Sequence, residues 1–141
     1  MSDYTTPRSP RDEVQGVVYL ARLCNKVRLH AKGGLHPDYQ PNLGIAMDLW
    51  TCQFFHVAYQ DLVEQLLTQQ LTDEDLFEWL CSNHYRPSTE EIDWWNSYMR
   101  NRGFRDDFAE LLQTRKEQAS FGERDEIKAF FDFIDADEGR L

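Results

Sequence analysis

The chain has 141 residues, which is the size of one domain, and its 25 Asp and Glu against 15 Lys and Arg give a formal net charge of −10. This charge disfavours nonspecific binding to nucleic acids and anionic membranes, because both are polyanions. A hydrophobic fraction of 41% indicates a folded globular protein, and no apolar run reaches the roughly 20 residues of a membrane span.

The first helix is predicted to begin at Ser9. The run Ser9-Pro10-Arg11-Asp12 supplies a capping side chain, a proline suited to the first helical position and an acidic residue in the first turn. We expect this helix to continue to about Lys32, where Gly33-Gly34 ends it. Residues 1–8 would form a flexible segment before it, and residues 9–141 a single helical domain.

Six further helices are predicted after a loop that ends near Pro41. Thr72 with three following acids, and Ser88 with Glu91 as a capping box, are the clearest starts. The segments are 42–55, 59–70, 72 onward, 88–103, 106–119 and a last one after residue 122. Because no alternating strand pattern and no Asn-Gly hairpin signal occur, the predicted fold is all-α, a compact single domain of about six or seven helices.

The cysteines do not suggest a disulfide framework. There are three, Cys24, Cys52 and Cys81, widely spaced and odd in number. Each lies among apolar residues, where a free cysteine commonly behaves as a small buried hydrophobic side chain. We therefore predict three buried thiols.

Two charged residues fall on apolar helix faces. A helical wheel started at Val14 places Arg28 on the apolar side of the first helix, and Arg22 and Lys26 on the solvent side. The second helix is apolar nearly all round, which predicts a central helix with Asp48 buried on it. The simplest solution is a buried ion pair between Arg28 and Asp48. The alternative is that Arg28 faces a cavity and binds a carboxylate or phosphate.

Ligand and metal candidates surround Gly33-Gly34. A small-molecule site there would use four candidate ligand-binding residues, which are Lys26, Arg28, His30 and Asp48. His36 is a candidate general base, since imidazole titrates near neutral pH, and Tyr39 is a second catalytic candidate. His30, His36 and Asp38 could ligate a metal, but their spacing matches no standard signature, so no metal is assigned and any cofactor stays open.

Three aromatic residues are candidates for a contact surface. Trp94 and Tyr98 share a helix face beside the core face, and Phe133 lies off the apolar stripe of the last helix. Large exposed aromatics can mark a homo-oligomer or protein-partner interface. The alternative is a broad apolar face buried within the domain.

Several short motifs resemble the domain of unknown function 5069 family over about residues 7–140. They are Ser9-Pro10, Leu20-Ala21-Arg22, Lys26-x-Arg28, Gly33-Gly34, Tyr39, Trp95-Asn96 and Phe131-Asp132-Phe133-Ile134-Asp135. The resemblance implies a small bacterial cytoplasmic protein and supplies no catalytic residues. It directs attention to Lys26, Arg28 and the loop from Gly33 to Tyr39.

Three functional hypotheses follow. The favoured one is a non-enzymatic binding or interaction module, and the second is a small-molecule enzyme or sensor that binds a small anion beside Arg28 and the Gly33 to Tyr39 loop. The third, an acidic mimic of nucleic acid, is disfavoured by the basic first helix. The N-terminal MSDYTTPRSP has no signal-peptide pattern, so we expect a cytoplasmic location.

Overall fold

A computed structural model describes residues 3–141, and this part of the chain folds into one mostly helical domain with a two-stranded hairpin. The elements in chain order are β1 Glu13–Val14, β2 Val17–Val18, α1 Leu20–Ala31, a 3-10 helix Pro37–Asn42, α2 Met47–Phe54, α3 Tyr59–Thr68, α4 Asp73–Asn83, α5 Thr89–Asn101, α6 Ala109–Gln118 and α7 Phe130–Asp137. The predicted mostly helical architecture is confirmed, the all-α description is corrected by the hairpin, and the seven α-helices plus one 3-10 helix within residues 3–141 slightly exceed the predicted six or seven helices.

The hairpin replaces the predicted start of the first helix. Its two-residue turn has φ of 49° at Gln15 and 82° at Gly16, which is typical of a type I′ turn. The antiparallel register pairs Val14 with Val17, so their side chains enter the core. No helix begins at Ser9, whose hydroxyl accepts a hydrogen bond from the Arg11 amide at 3.2 Å and donates one to the Asp135 carboxylate at 2.9 Å.

The central helix of the domain is α1, whereas α2 was predicted to be central. Buried residues follow one another along α1 from Leu20 to Val27, and Asn25 alone among these eight is half-buried. On α2, by contrast, Leu49 is 39% exposed. The helix α1 packs against the hairpin, α3 and α4, so it has no solvent side over its first two turns.

The predicted helix caps are confirmed where they are local. The Thr72 hydroxyl accepts a hydrogen bond from the Asp75 amide at 3.1 Å at the start of α4. At the start of α5, Ser88 and Glu91 form the reciprocal capping box. These interactions depend on residues three positions apart, which is why the sequence alone predicts them.

The segment before the hairpin packs along the domain. The Thr5 amide donates to the Gly34 carbonyl at 3.0 Å, and the Arg8 amide donates to Asn25 Oδ1 at 2.8 Å. Pro7 is buried. Residues 1 and 2 of the predicted flexible segment lie outside the described residues, and its flexibility stays a prediction.

The prediction of buried thiols is confirmed for Cys24, Cys52 and Cys81, all of which are free and buried. Burial raises the pKa of the Cys52 thiol to about 12, and the Asp48 carboxylate adds to this rise. A search of residues 3–141 finds no helix that is both long and apolar enough to cross a membrane.

Candidate functional site

A cleft of about 590 Å³ opens between α1, the 3-10 helix, α2, α6 and α7. Its walls carry aromatic and aliphatic side chains, which include Tyr39, Met47, Trp50, Phe108, Leu111, Phe130, Phe133 and Ile134. Cavities of this size and character commonly accept small organic molecules. The floor of the cleft, in contrast, is polar and is formed by Arg22 and Lys26 on α1, Tyr19 directly before α1 and Glu138 directly after α7.

The first polar cluster of the floor joins Lys26, Tyr19 and Asp48. Lys26 Nζ lies 2.7 Å from Asp48 Oδ1 and 3.0 Å from Tyr19 Oη. The Tyr19 hydroxyl also donates to Asp48 Oδ1 at 2.7 Å, and the Gly44 amide donates to Asp48 Oδ2 at 3.0 Å. Asp48 is 1% exposed, so this carboxylate is held by a cation and two neutral donors away from water.

The environment of this cluster shifts two pKa values. Burial lowers the pKa of the Lys26 ammonium, and the nearby Asp48 carboxylate opposes that fall. Burial also raises the pKa of the Tyr19 hydroxyl well above its ordinary value, with the Asp48 charge acting in the same direction. Tyr19 is therefore a neutral donor at physiological pH.

The second polar cluster joins Arg22, Glu138 and Tyr39. Arg22 Nη1 and Nη2 each lie 2.8 Å from a different oxygen of Glu138, which is a bidentate pair. The Tyr39 hydroxyl donates to Glu138 Oε2 at 3.0 Å, and Arg140 Nη1 donates to Glu138 Oε1 at 2.6 Å. The side chains of Arg22 and Glu138 are 5% and 4% exposed, respectively.

Burial alone raises the pKa of Glu138, but Arg22, together with hydrogen bonds from Arg140 and Tyr39, outweighs this effect and leaves the pKa below its ordinary value. Burial raises the pKa of Tyr39 to about 12, and the Glu138 charge adds to the rise. At neutral pH the cluster therefore contains an ionised Glu138 and a neutral Tyr39.

Both cations of the floor keep unused hydrogen-bond donors. An ammonium group has three N–H bonds, and within residues 3–141 Lys26 donates to two partners, Asp48 and Tyr19, which leaves one N–H bond unused there. Arg22 Nε is buried and, among residues 3–141, has no hydrogen-bond partner. Arg22 and Lys26 lie one turn apart on α1 and both line the cleft, so the two side chains leave the helix on the same side.

Two non-glycine residues that line the cleft have positive φ angles. Tyr19, directly before α1, has φ of 75°, and Ala46, directly before α2, has φ of 51° with ψ of −122°. Left-handed conformations of non-glycine residues cost free energy and concentrate at functional sites. Both residues line the cleft, but among residues 3–141 five other non-glycine residues with positive φ do not, so this strain is not specific to the site; they are Gln15, His56, Gln70, Arg105 and Ser120.

Comparison with known proteins decides the family. A family model described as "Domain of unknown function (DUF5069)" matches residues 4–140. The chain belongs to the DUF5069 family. The family resemblance predicted from the short motifs is thus confirmed over nearly the whole chain. The comparison with curated proteins gave no match to this chain.

The structure brings together only part of the site predicted for this DUF5069 chain. Lys26, His36, Asp38 and Tyr39 line the cleft, and Asp48 lies beneath Lys26. Arg28 and His30 are not among the lining residues.

The predicted ion pair between Arg28 and Asp48 is wrong. Arg28 Nη1 pairs with Asp73 Oδ1 at 2.7 Å, and its Nη2 donates to the Leu71 carbonyl at 2.9 Å. Two residues advance an α-helix by about 200°, so Arg28 and Lys26 leave α1 in nearly opposite directions. Lys26, which was predicted to face solvent, is the cation that reaches Asp48.

The predicted metal ligands do not converge. His36 Nδ1 accepts a hydrogen bond from the Asp38 amide at 3.1 Å and lies 3.7 Å from Asp38 Oδ2. His30 is exposed at the end of α1. Throughout the described part of the DUF5069 chain, no three His, Cys, Asp or Glu side chains gather in a metal-binding geometry.

The three aromatic candidates lie in two different places. Trp94 is 67% exposed and Tyr98 is 44% exposed, on one face of α5. Phe133 is half-buried, lines the cleft and packs edge-on against Phe121 and Phe130. The predicted contact surface is therefore reduced to Trp94 and Tyr98.

Sequence reasoning missed several residues of the site in this DUF5069 protein. Tyr19, Arg22 and Glu138 were not proposed as ligand-binding residues, although each lines the cleft. The spacing of Arg22 and Lys26, four residues apart on a predicted helix, is the signal that could have indicated two cations on one face. Glu138 comes from the far end of the chain, and no local pattern connects it with α1.

Proposed function

We propose that the protein binds a small amphipathic organic molecule in the cleft. One observation carries the proposal: Lys26, a 4% exposed cation, lines a 590 Å³ cleft with apolar and aromatic walls and keeps one N–H bond without a partner in the described part of the chain. A buried donor without a partner costs free energy, and a ligand acceptor would satisfy it. The binding module that the sequence favours would then have its site in this cleft.

Charge balance indicates the polar end of such a ligand. Asp48 compensates Lys26, and Glu138 compensates Arg22, so the floor needs no additional anion to be electrically neutral. The unused N–H bonds instead require an acceptor oxygen, such as that of a carbonyl or carboxylate. The aromatic walls suit an aromatic or aliphatic body. The small anionic ligand expected from the sequence would bind here through an acceptor oxygen at Lys26 and not at Arg28, which does not line the cleft.

Titration with benzamide and with benzoate tests this proposal. Of the four tryptophans, Trp50 lines the cleft, whereas Trp79, Trp94 and Trp95 do not. We expect each probe to shift the indole N–H resonance of Trp50 in the proton–nitrogen NMR spectrum, with a smaller effect on Trp79 and Trp94. The variant Trp50→Phe assigns the resonance.

A matched pair of surface variants controls the titration. Leu111 is 39% exposed and lines the cleft, whereas Leu67 is 36% exposed on α3, outside it. Leu111→Glu should weaken benzoate binding because it places a like charge at the cleft, and Leu67→Glu should leave binding unchanged. Equal shifts at all four indoles, or equal effects of the two variants, would contradict a specific site in the cleft.

A second candidate function is self-association through α5. Trp94 and Tyr98 are one helical turn apart, and an exposed apolar pair of this size is common at protein interfaces. We expect the mass measured by light scattering to rise with protein concentration, and Trp94→Ser to abolish that rise. Phe104 is an aromatic residue outside α5 that is 43% exposed, and Phe104→Ser should not abolish the rise in mass. A constant monomer mass would exclude this contact.

We also propose a cytoplasmic location. Three free thiols are common in proteins of a reducing compartment, where disulfides are rare. The net charge of −10 supports the further proposal that nucleic acid and anionic membranes are not partners.

A further inference from the structure

We propose that Lys26 is a nucleophile that captures the carbonyl carbon of an aldehyde or ketone in the cleft and forms an imine with it. This inference rests on the proposed function, since the carbonyl compound has to enter the cleft. Whereas the proposed function allows any ligand with an acceptor oxygen, carbonyl capture requires a ligand with a reactive carbonyl group.

The position of Lys26 differs from that of the other three lysines. Lys32 and Lys128 are exposed, and Lys116 is buried elsewhere with its Nζ 3.0 Å from the Ile127 carbonyl. Lys26 combines burial with a place on the cleft floor. A carbonyl oxygen that accepts the unused N–H of Lys26 would lie directly beside the nucleophilic nitrogen.

The attack needs a neutral amine, and a proton acceptor lies in contact with Lys26. Asp48 Oδ1 is 2.7 Å from Nζ, so it can receive a proton from the ammonium group without any movement of the backbone. Burial of Lys26 makes that transfer easier, because desolvation disfavours the charged amine. The Tyr19 hydroxyl lies 2.7 Å from Asp48 Oδ1 and 3.0 Å from Lys26 Nζ, so it is a second group that can pass protons.

The reaction balances within this cluster. The ammonium proton passes to Asp48, and the nitrogen lone pair forms a C–N bond while the carbonyl π electrons move to oxygen. Protons from Asp48 and from nitrogen then reach that oxygen, the nitrogen lone pair forms the C=N bond as the C–O bond breaks, and water leaves with the C–O electrons. One carbonyl compound and one ammonium group thus become one iminium group and one water molecule, with no oxidation or reduction.

The net charge of the buried cluster is the same before and after this reaction. The iminium product carries one positive charge, as the ammonium does, so the Asp48 carboxylate faces a cation both at the start and at the end of the reaction. A product that neutralised Lys26 would leave a 1% exposed carboxylate without a cation, which is costly. The ion pair therefore favours the charged imine instead of opposing its formation.

Reductive trapping on the wild-type protein tests the inference. Benzaldehyde fits the aromatic walls, and cyanoborohydride converts its imine into a stable benzyl amine that peptide mass spectrometry can locate. We expect Lys26 to be modified about tenfold or more faster than Lys32 and Lys128, because binding in the cleft raises the local concentration of the aldehyde. Lys116 should stay unmodified.

Two controls distinguish modification of Lys26 through binding in the cleft from the ordinary reactivity of lysines with aldehydes. Formaldehyde is too small to need the aromatic walls, so the preference for Lys26 over Lys32 should be smaller with it than with benzaldehyde. Lys26→Arg keeps the positive charge beside Asp48 but lacks the amine. That variant should lose the selective modification, while the slow modification of Lys32 and Lys128 continues.

The outcome separates this inference from the proposed function. If benzamide shifts the Trp50 resonance but benzaldehyde modifies Lys26 no faster than Lys32, the carbonyl capture is overturned and ligand binding stands. If the Trp50 resonance does not move and Lys26 shows no selective modification, both the inference and the proposed function are overturned. Selective modification of Lys26 in the wild-type protein supports the inference and needs no variant to fold.

Discussion

Replacing Lys26 with methionine is expected to lower the free energy of unfolding by about 3–5 kcal/mol, because it leaves the Asp48 carboxylate buried without its cation. Asp48 is 1% exposed and would keep only the hydroxyl of Tyr19 and the amide of Gly44 as donors. Urea denaturation followed by circular dichroism at pH 7 measures this loss. It is one of the two largest effects that we expect from a single substitution.

A second substitution shows whether the loss comes from the charge. The double variant Lys26→Met with Asp48→Asn removes the unpaired charge and keeps an acceptor for Tyr19, so it should recover a substantial part of the stability. Lys128→Met removes an exposed lysine and should change stability by less than about 0.5 kcal/mol. A double variant as unstable as Lys26→Met would show that packing around residue 26, rather than the ion pair, dominates.

Replacing Glu138 with glutamine is expected to cost about 3 kcal/mol at pH 7, because Arg22 then stays buried without a carboxylate. Arg22 would retain hydrogen bonds to the Arg8 carbonyl and the new amide, and Arg140 would lose one of its carboxylate partners. Urea denaturation measures this effect as well. Glu126→Gln serves as the control, since Glu126 is 55% exposed in its pair with Arg124.

The stability difference between wild type and Glu138→Gln should depend on pH. The folded-state pKa of Glu138 lies below its ordinary value, which is about 4.3 in an unfolded chain. The stabilisation is therefore complete above that unfolded value and is lost as the pH falls through the folded-state pKa. The two proteins should approach each other in stability in acid. A difference that is unchanged between neutral and strongly acidic pH would contradict ionisation of Glu138 as its source.

The parts of the fold that the sequence predicts well depend on neighbours in the chain. The capping box of Ser88 and Glu91 and the cap at Thr72 need only residues within one turn, and both form as expected. The hairpin was missed because Gln15-Gly16 forms its turn without the common Asn or Asp. Asn96 supports this hairpin from α5 by bonding the Val18 amide and the Gly16 carbonyl, a long-range contact that no local pattern reveals.

The predicted environments of Arg22, Lys26 and Arg28 on the first helix are wrong for one common reason. A helical wheel assumes that one side of the helix faces solvent, whereas α1 is surrounded by other elements. Arg22 and Lys26 are therefore buried against Glu138 and Asp48, and Arg28 turns toward Asp73. The sequence correctly predicted that Asp48 is buried. It could not identify the partner, because several cations on α1 were available and the choice depends on how α2 packs against it.

The cleft is assembled from segments distributed over the chain, from Tyr4 in the N-terminal segment to Glu138 after α7. Its shape therefore exists only in the folded protein, and a ligand bound there stabilises the folded state over the unfolded one. By linkage, a ligand present at 100 times its dissociation constant adds about 2.7 kcal/mol to the free energy of unfolding. The rise in melting temperature of the whole domain therefore reports ligand binding in the cleft. Carbonyl compounds and carboxylates can be ranked by the size of this rise.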